Sequence, residues 1–187
     1  MTADKLIWNI VADSDNYRSF RLLDEWKRLE LIETLGGGKQ LADSWESVNV
    51  TLYKGDDESE EILPLGDFVR FFGLAINISA FKILRPIISN TVEFLPLKCD
   101  IGSYFALNVD WIDCLDVSRS VVKRFESSGR IMRVEKYAFN WEPLNDVHMF
   151  HLLELRMSKL FVSDTFKQVV EANRLQGLIF YPIDQVI

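Results

Sequence analysis

Histidine and cysteine, the side chains that most often carry nucleophilic or metal chemistry, are scarce in this sequence. There are two of each among 187 residues. Cys99 and Cys114 lie in separate apolar contexts without CxxC spacing, so we expect two reduced core thiols and no disulfide or zinc site. His148 and His151 are three apart in a segment that reads as a strand, where they face opposite sides. With no HExxH motif, they are expected to be poor joint metal ligands.

Sequence motifs of catalysis are also missing. No GxSxG elbow occurs, and Gly36 to Gly38 lack the preceding strand and the GK[ST] ending of a phosphate loop. Asp110, Asp113 and Asp116 could gather around Mg²⁺ or Ca²⁺, but their spacing is not that of an EF-hand. Asp116 is better suited to cap the turn that follows it. We therefore predict no catalytic residue, no metal and no cofactor. A small carboxylate- or metal-dependent hydrolase is the alternative.

The sequence also contains fewer basic than acidic residues and no long apolar run. Lys and Arg number 21 against 28 Asp and Glu, for a net charge of −7. This balance argues against binding to nucleic acid or anionic lipid and favours a basic partner, although many cytoplasmic proteins are acidic for solubility alone. The apolar stretch near the amino terminus is too short for a signal sequence or a spanning helix, so we expect a cytoplasmic protein with no membrane partner.

The composition predicts a hydrophobic core. Hydrophobic residues make up 48% of the chain, with thirteen Phe and five Trp. A chain of this length buries roughly 70% of its unfolded surface, as one domain does. Alternation and apolar runs predict strands at 6–11, 48–52, 74–78, 92–97, 104–109, 131–139, 149–155, 160–162 and 177–181. Gly102-Ser103 should turn the fourth and fifth of these into a hairpin.

Helices are predicted between these strands. Residues 17–35 place Phe20, Leu23, Trp26 and Leu29 at threefold spacing, which indicates an amphipathic helix. Gly66-Asp67 resembles a second helix start. Ser79 should cap a third helix, which Pro86 should kink or end, and Ser163 or Asp164 should begin the last.

Two stretches follow one plan of strand, Ser-capped helix and strand. Ile78-Ser79 before Phe81-Lys82 is similar to Val162-Ser163 before Phe166-Lys167. A duplication would explain this similarity. So would the cap and turn residues that strand–helix–strand units commonly share. In either case we predict an α+β fold, with a mixed, mostly antiparallel sheet in a single domain over 1–187.

An acidic run and two tryptophans are the candidate partner-binding residues. The run consists of Asp56, Asp57, Glu58, Glu60 and Glu61 around Ser59, and mutual repulsion should keep it on the surface. The run is either a solvated surface loop or a segment that attracts a basic cleft on a partner protein. Trp45 and Trp141 stand beside acidic residues, a composition typical of binding hot spots and of core edges alike.

Residues 65–182 resemble a domain-of-unknown-function family of immunity proteins from bacterial polymorphic toxin and contact-dependent competition systems. The resemblance is carried by fragments in a fixed order: Gly66-Asp67-Phe68, Ile78-Ser79, Val92 to Leu97, Tyr104 to Val109, Asp113 to Asp116, Ser120, Val162 to Lys167 and Gly177 to Pro182. The first sixty residues match little. We therefore divide the domain into a variable part, 1–61, and a family-like core, 62–187.

The resemblance implies a binding function. Such a protein is encoded beside a secreted toxin, often a nuclease, and neutralises it by stoichiometric binding. It implies no catalytic residue, and the matching Ser79, Asp113, Asp116 and Ser163 are fold residues. The expected partner is thus a cognate toxin with a basic surface; an intracellular adaptor for another protein is an alternative, and a homodimer stays open.

Overall fold

The computed structural model describes residues 6–35, 40–53, 63–155 and 159–186. The acidic run and the triple glycine lie outside these ranges. Within them the strands are β1 Ile7–Ala12, β2 Phe20–Leu22, β3 Val50–Leu52, β4 Phe68–Arg70, β5 Leu74–Asn77, β6 Val92–Leu97, β7 Tyr104–Val109, β8 Trp111–Ile112, β9 Val121–Arg124, β10 Ile131–Lys136, β11 Met149–Leu152, β12 Leu160–Ser163 and β13 Leu178–Pro182. The helices are α1 Arg28–Leu35, α2 Ile78–Ile88 and α3 Asp164–Ala172, with a short 3₁₀ helix at Glu25–Lys27. The predicted α+β class is confirmed.

Two sheets organise the fold. One has the order β13-β1-β12-β11-β8 and the other β4-β5-β7-β6. Every pair in them is antiparallel except β11 with β8. The predicted hairpin of β6 and β7 is confirmed, with Val92 opposite Val109 and Leu97 opposite Tyr104. The smaller pairs β2-β3 and β9-β10 lie outside the two sheets.

The two strand–helix–strand units have the same topology. In one, β5 and β6 both pair antiparallel with β7, so they are parallel to each other with β7 between them. In the other, β12 and β13 flank β1 in the same way. A helix, α2 or α3, joins the parallel strands of each unit, and the two helices contact each other. The predicted units are therefore present, while their origin by duplication stays a hypothesis.

The helix caps follow the prediction in one unit and not in the other. Ser163 caps α3, and its Oγ accepts a hydrogen bond from the amide of Phe166. In α2 the cap is Asn77, not Ser79; its Oδ1 accepts from the amide of Ala80 at 2.9 Å. Asn77 also ends β5, so an N-cap side chain suits the point where the extended backbone turns.

Pro86 does not end α2 at Arg85, because the helix continues to Ile88. Proline removes one intrahelical hydrogen bond near the last turn. Leu84 and Ile88 on either side of it are fully buried, and burial of each such side chain contributes about 1.5–3 kcal/mol. Packing therefore outweighs the lost hydrogen bond.

The predicted helix over 17–35 was mostly wrong. Its first third contains β2, and the α-helix occupies only Arg28–Leu35. Phe20 is buried, but Leu23 is 60% exposed and Trp26 and Leu29 are each 75% exposed. A strand forms because β3 pairs with residues 20–22 and buries Phe20 and Leu22 in a period of two. Local threefold spacing did not reveal this distant partner.

The helix start at Gly66-Asp67 was also wrong, because strand β4 begins at Phe68. The carboxylate of Asp67 instead joins distant segments. Its Oδ1 accepts from Asn77 Nδ2 at 2.8 Å, and its Oδ2 accepts from the amide of Gln176 at 2.9 Å. The amide of Phe68 donates to the Gln176 carbonyl at 3.0 Å. Asp67 thus ties the start of one sheet to the start of β13 in the other.

Three groups of buried side chains fill the molecule. The central one draws on both sheets and on α2 and α3, with Phe68, Leu84, Met149 and Phe166 fully buried. The second lies on the opposite face of the β4-β5-β7-β6 sheet and takes in residues of β2, β3 and α1. The third surrounds Phe150 behind β11 and β12. The first sixty residues, where described, therefore contribute to the core.

Glu93 holds part of that amino-terminal segment against β6. Its carboxylate accepts hydrogen bonds from the amides of Leu41 and Ala42 at 2.8 and 3.0 Å, and from Asn108 Nδ2 at 2.7 Å. Burial raises the pKa of Glu93, but the hydrogen bonds from Ala42, Leu41 and Asn108 outweigh burial and hold the pKa below its usual value.

We expect Glu93→Gln to lower the free energy of unfolding by about 1–3 kcal/mol, because an amide has one accepting oxygen and its NH₂ group would face donors. Urea unfolding at neutral pH measures the change. Glu126→Gln, at an exposed position in the 125–130 turn, is the matched control and should be neutral. Equal stability of the two variants would contradict this role.

Gly177 permits the contact between the two sheets. Its φ is +101°, and a Cβ built there would lie 2.3 Å from the carbonyl oxygen of Phe68. At Gly66 a Cβ would lie 2.9 Å from the Gln176 carbonyl oxygen. Both glycines therefore stand where two backbones pass too closely for any side chain.

We expect Gly177→Ala to lower the free energy of unfolding by about 3 kcal/mol or more, since a backbone clash is added to left-handed strain. Gly129→Ala separates the two effects: φ there is +67° and nothing lies within 4 Å of the added Cβ. Strain alone should cost about 1–2 kcal/mol. Chemical denaturation of both variants tests this, and similar losses would rule out the clash.

Candidate functional site

The two histidines take part in separate contacts within the second half of the chain. His148 Nδ1 lies 2.8 Å from Ser163 Oγ, the cap of α3. His151 Nδ1 lies 2.8 Å from the carbonyl oxygen of Lys159, and its ring stacks on Trp111 with centroids 4.7 Å apart. Burial lowers the pKa of both rings. Each ring therefore connects structural elements and does not share a ligand with the other.

The three aspartates also have separate environments. Asp116 Oδ1 accepts from the amides of Ser118 and Arg119, and its Oδ2 pairs with Arg119 Nε at 2.6 Å. Hydrogen bonds from Ser118 and then Arg119 lower the pKa of Asp116 to about 2. The predicted turn cap is confirmed. Burial raises the pKa of Asp110, and Glu93 adds to that shift.

Asp113 lies close to Glu154, whose pKa is raised first by burial and then by Asp113. A neighbouring carboxylate disfavours the charged form of Glu154. In the part of the chain that the structure describes, no three His, Cys, Asp or Glu side chains are grouped so as to hold a metal ion. The two cysteines are free thiols, Cys114 is buried, and burial raises the pKa of both.

The predicted partner-binding tryptophans are both half-buried. Trp45 Nε1 donates to the carbonyl oxygen of Pro96 at 2.9 Å, and its ring packs on the second core group. Trp141 packs on the third core group beside Phe139. Each side chain is thus partly exposed and partly packed against the fold. The acidic run Asp56 to Glu61 lies outside the described residues.

Sequence reasoning missed an exposed apolar surface on the 3₁₀ helix and α1. Leu23, Trp26, Leu29 and Ile32 are each between 44% and 75% exposed. Leu23, Trp26 and Leu29 belong to the predicted threefold spacing, but the predicted amphipathic helix turned them toward the core, whereas they face solvent. A solvent-facing tryptophan flanked by aliphatic side chains is a composition found at the centre of protein interfaces.

Beside this surface runs a groove of about 1310 Å³. Its walls come from the first two strands, α1, the β4-β5 turn and the sheet that contains β11. Arg21, Arg28 and Arg70 line it, and Asp15 is the one acidic residue among the described residues that does so. Phe72, at the tip of the β4-β5 turn, also lines it. In a chain of net charge −7, this groove carries a local excess of positive charge.

Residues 102–185 match the family model described as the Immunity protein family (Imm11). The resemblance to an immunity family is therefore confirmed for this part of the chain. The matched segment contains β7 to β13 and α3, but not β1, which fills the middle of the same sheet. Arg21, Arg28, Arg70 and Phe72 lie outside it. No curated protein matches the chain. No helix among the described residues is long and apolar enough to cross a membrane.

The lowered pKa values of the two histidines predict a pH dependence. Because each ring binds a proton more weakly in the folded protein, stability is full above the unfolded-state pKa of about 6.5 and is lost as the pH falls below it. We expect the double variant His148→Asn and His151→Asn to lose less unfolding free energy than the original protein between about pH 7.5 and pH 5.5. Urea titrations at both pH values measure the difference. Parallel losses would show that the histidines do not contribute.

Proposed function

We propose that this protein neutralises a cognate secreted bacterial toxin by forming a one-to-one complex with it in the cytoplasm. The observation that carries the proposal is the match of residues 102–185 to the Imm11 immunity family. The fold agrees with it, because the histidines, cysteines and Asp116 are engaged in structural contacts. Such a protein acts by covering or distorting its target.

A nuclease is the toxin class that we propose. Nucleases bind a polyanion, so their active clefts carry clustered Lys and Arg, and a chain of net charge −7 is attracted to such a cleft. The acidic run Asp56 to Glu61 is the densest negative segment of the sequence. We propose that this acidic run binds the basic cleft. The exposed parts of Trp45 and Trp141 would add apolar contact with the toxin. Charge of this kind mainly accelerates association and selects the partner.

The first test uses the toxin domain encoded beside this gene. Expression of the toxin alone should arrest growth, and co-expression with this protein should restore it. Gel filtration with light scattering should give a complex with one copy of each chain. Co-elution without protection would point to an adaptor, and protection by substoichiometric amounts would point to an enzyme.

Neutralising the run by changing Asp56 and Asp57 to Asn and Glu58, Glu60 and Glu61 to Gln should slow association about tenfold at low salt and change dissociation little. Stopped-flow or surface plasmon resonance at two salt concentrations measures both rates. The control removes the same number of charges at exposed positions elsewhere: Asp100, Glu126, Asp146, Glu171 and Asp184. Association that slows equally in both variants would mean that net charge alone acts.

A further inference from the structure

The groove of about 1310 Å³ is a second place where this protein can hold a partner. Its volume exceeds the roughly 300–1,000 Å³ of pockets that enclose small molecules, and it is open along its length. A groove of this size accommodates several residues of an extended chain. Since the chemistry of its walls is unlike that of the acidic run, it should recognise a different part of a partner.

Three arginines give the groove its charge. Arg21 alternates with the buried Phe20 and Leu22 in β2, so its side chain points away from the core. Arg28 begins α1, and Arg70 ends β4 next to the buried Val69. All three side chains are exposed, and none forms an ion pair with a side chain that the structure describes, a set that does not include the side chains of Glu25 and Glu33. Exposed guanidinium groups can bind carboxylates, because each guanidinium can donate two parallel hydrogen bonds to one carboxylate.

Phe72 supplies a second observation, independent of charge. It has a φ of +47°, a backbone conformation that bulky L residues rarely adopt, although Gly73 follows it directly. Phe72 is 38% exposed and lines the groove. A turn built for stability alone would place glycine at the left-handed position. Strain of this kind, retained at a solvent-facing aromatic residue, is typical of binding sites.

The five-stranded sheet contributes aromatic side chains to the groove as well. Trp111 stacks on His151 there, and Tyr181 of β13 is 46% exposed. The groove therefore combines cationic groups from β2, α1 and β4 with aromatic side chains from the β4-β5 turn and the five-stranded sheet. An extended peptide with alternating acidic and apolar side chains fits both features.

We propose that the groove binds an extended segment of the toxin that carries carboxylates and at least one aromatic or large aliphatic side chain. The proposal rests on the function proposed above and adds a partner segment to it. A protein segment is favoured over a nucleic acid strand because three cations in a chain of net charge −7 cannot offset long-range repulsion of a polyanion. The three arginines and Phe72 lie outside the family-matched residues 102–185, whereas Trp111, His151 and Tyr181 lie within them.

The experiment measures binding to a probe and to the toxin separately. The probe is a fluorescent ten-residue peptide of alternating Glu and Phe or Leu, and its control has Lys in place of Glu. We expect the Glu peptide to bind at least tenfold more tightly, and the charge reversal Arg21→Glu with Arg70→Glu to weaken it at least tenfold. The matched control, Lys82→Glu with Arg130→Glu, changes net charge equally at exposed positions away from the groove and should leave binding unchanged.

Phe72→Gly separates a binding role from a folding role. It relieves the left-handed strain, so the unfolding midpoint should not fall, while the affinity for the Glu peptide should drop at least tenfold. The arginine variants stand on exposed positions and keep the test valid if Phe72→Gly reduces stability.

The outcomes distinguish the two proposals. Toxin binding that is unchanged in the arginine and Phe72 variants would overturn the groove proposal and leave toxin neutralisation intact. Peptide binding that depends on the arginines and Phe72, without any toxin binding, would overturn neutralisation and the toxin as the occupant, and would support the groove only as a site for acidic, apolar peptides. Tighter binding of a ten-nucleotide thymidine strand than of the Glu peptide, or a concentration-dependent dimer abolished by the arginine variants, would also overturn the proposed occupant.

Discussion

Residues 66–68 and residues 176–177 pass each other at backbone distance, and this contact connects the two sheets. Asp67 accepts hydrogen bonds from the α2 cap and from the amide of Gln176, while Gly66 and Gly177 leave no side chain between the two segments. The central core group lies behind this contact and draws from both sheets. The position of α2 relative to α3, and with it the shape of the central core, depends on the approach of these segments.

Segments that lie outside the family match along the chain lie within the same sheets in space. The family match begins within the loop before β7 and ends after β13, but the sheet that it describes needs β1 from the amino terminus to join β12 to β13. Likewise, Leu41, Ala42 and Trp45 are bonded to Glu93 and Pro96 on β6. The described residues of this segment are therefore part of the folded unit.

The net charge of the whole chain and the local charge of the groove have opposite signs. The chain as a whole is acidic, which favours association with a basic protein, whereas Arg21, Arg28 and Arg70 converge on one groove. A partner that is basic in one region and carries an acidic, apolar segment in another would be recognised by both. Selectivity gains from such a division, because a wrong partner has to satisfy two opposite charge patterns.

The sequence by itself determined the α+β class, most of the strands, the cap of α3, the turn at Asp116 and the absence of recognisable catalytic motifs. These depend on local periodicity and on side chains that bond within a few residues. It also indicated the immunity family through ordered fragments.

Tertiary structure decided everything that depends on distant partners. Pairing with β3 made residues 20–22 a strand and left Leu23, Trp26 and Leu29 in solvent. Burial of Leu84 and Ile88 carried α2 past Pro86. The groove joins residues that are spread along the chain from Ile10 to Tyr181, and no spacing rule connects Arg21 to Arg70. Periodicity identifies which residues share a face, but only the packed chain determines whether that face meets the core or the solvent.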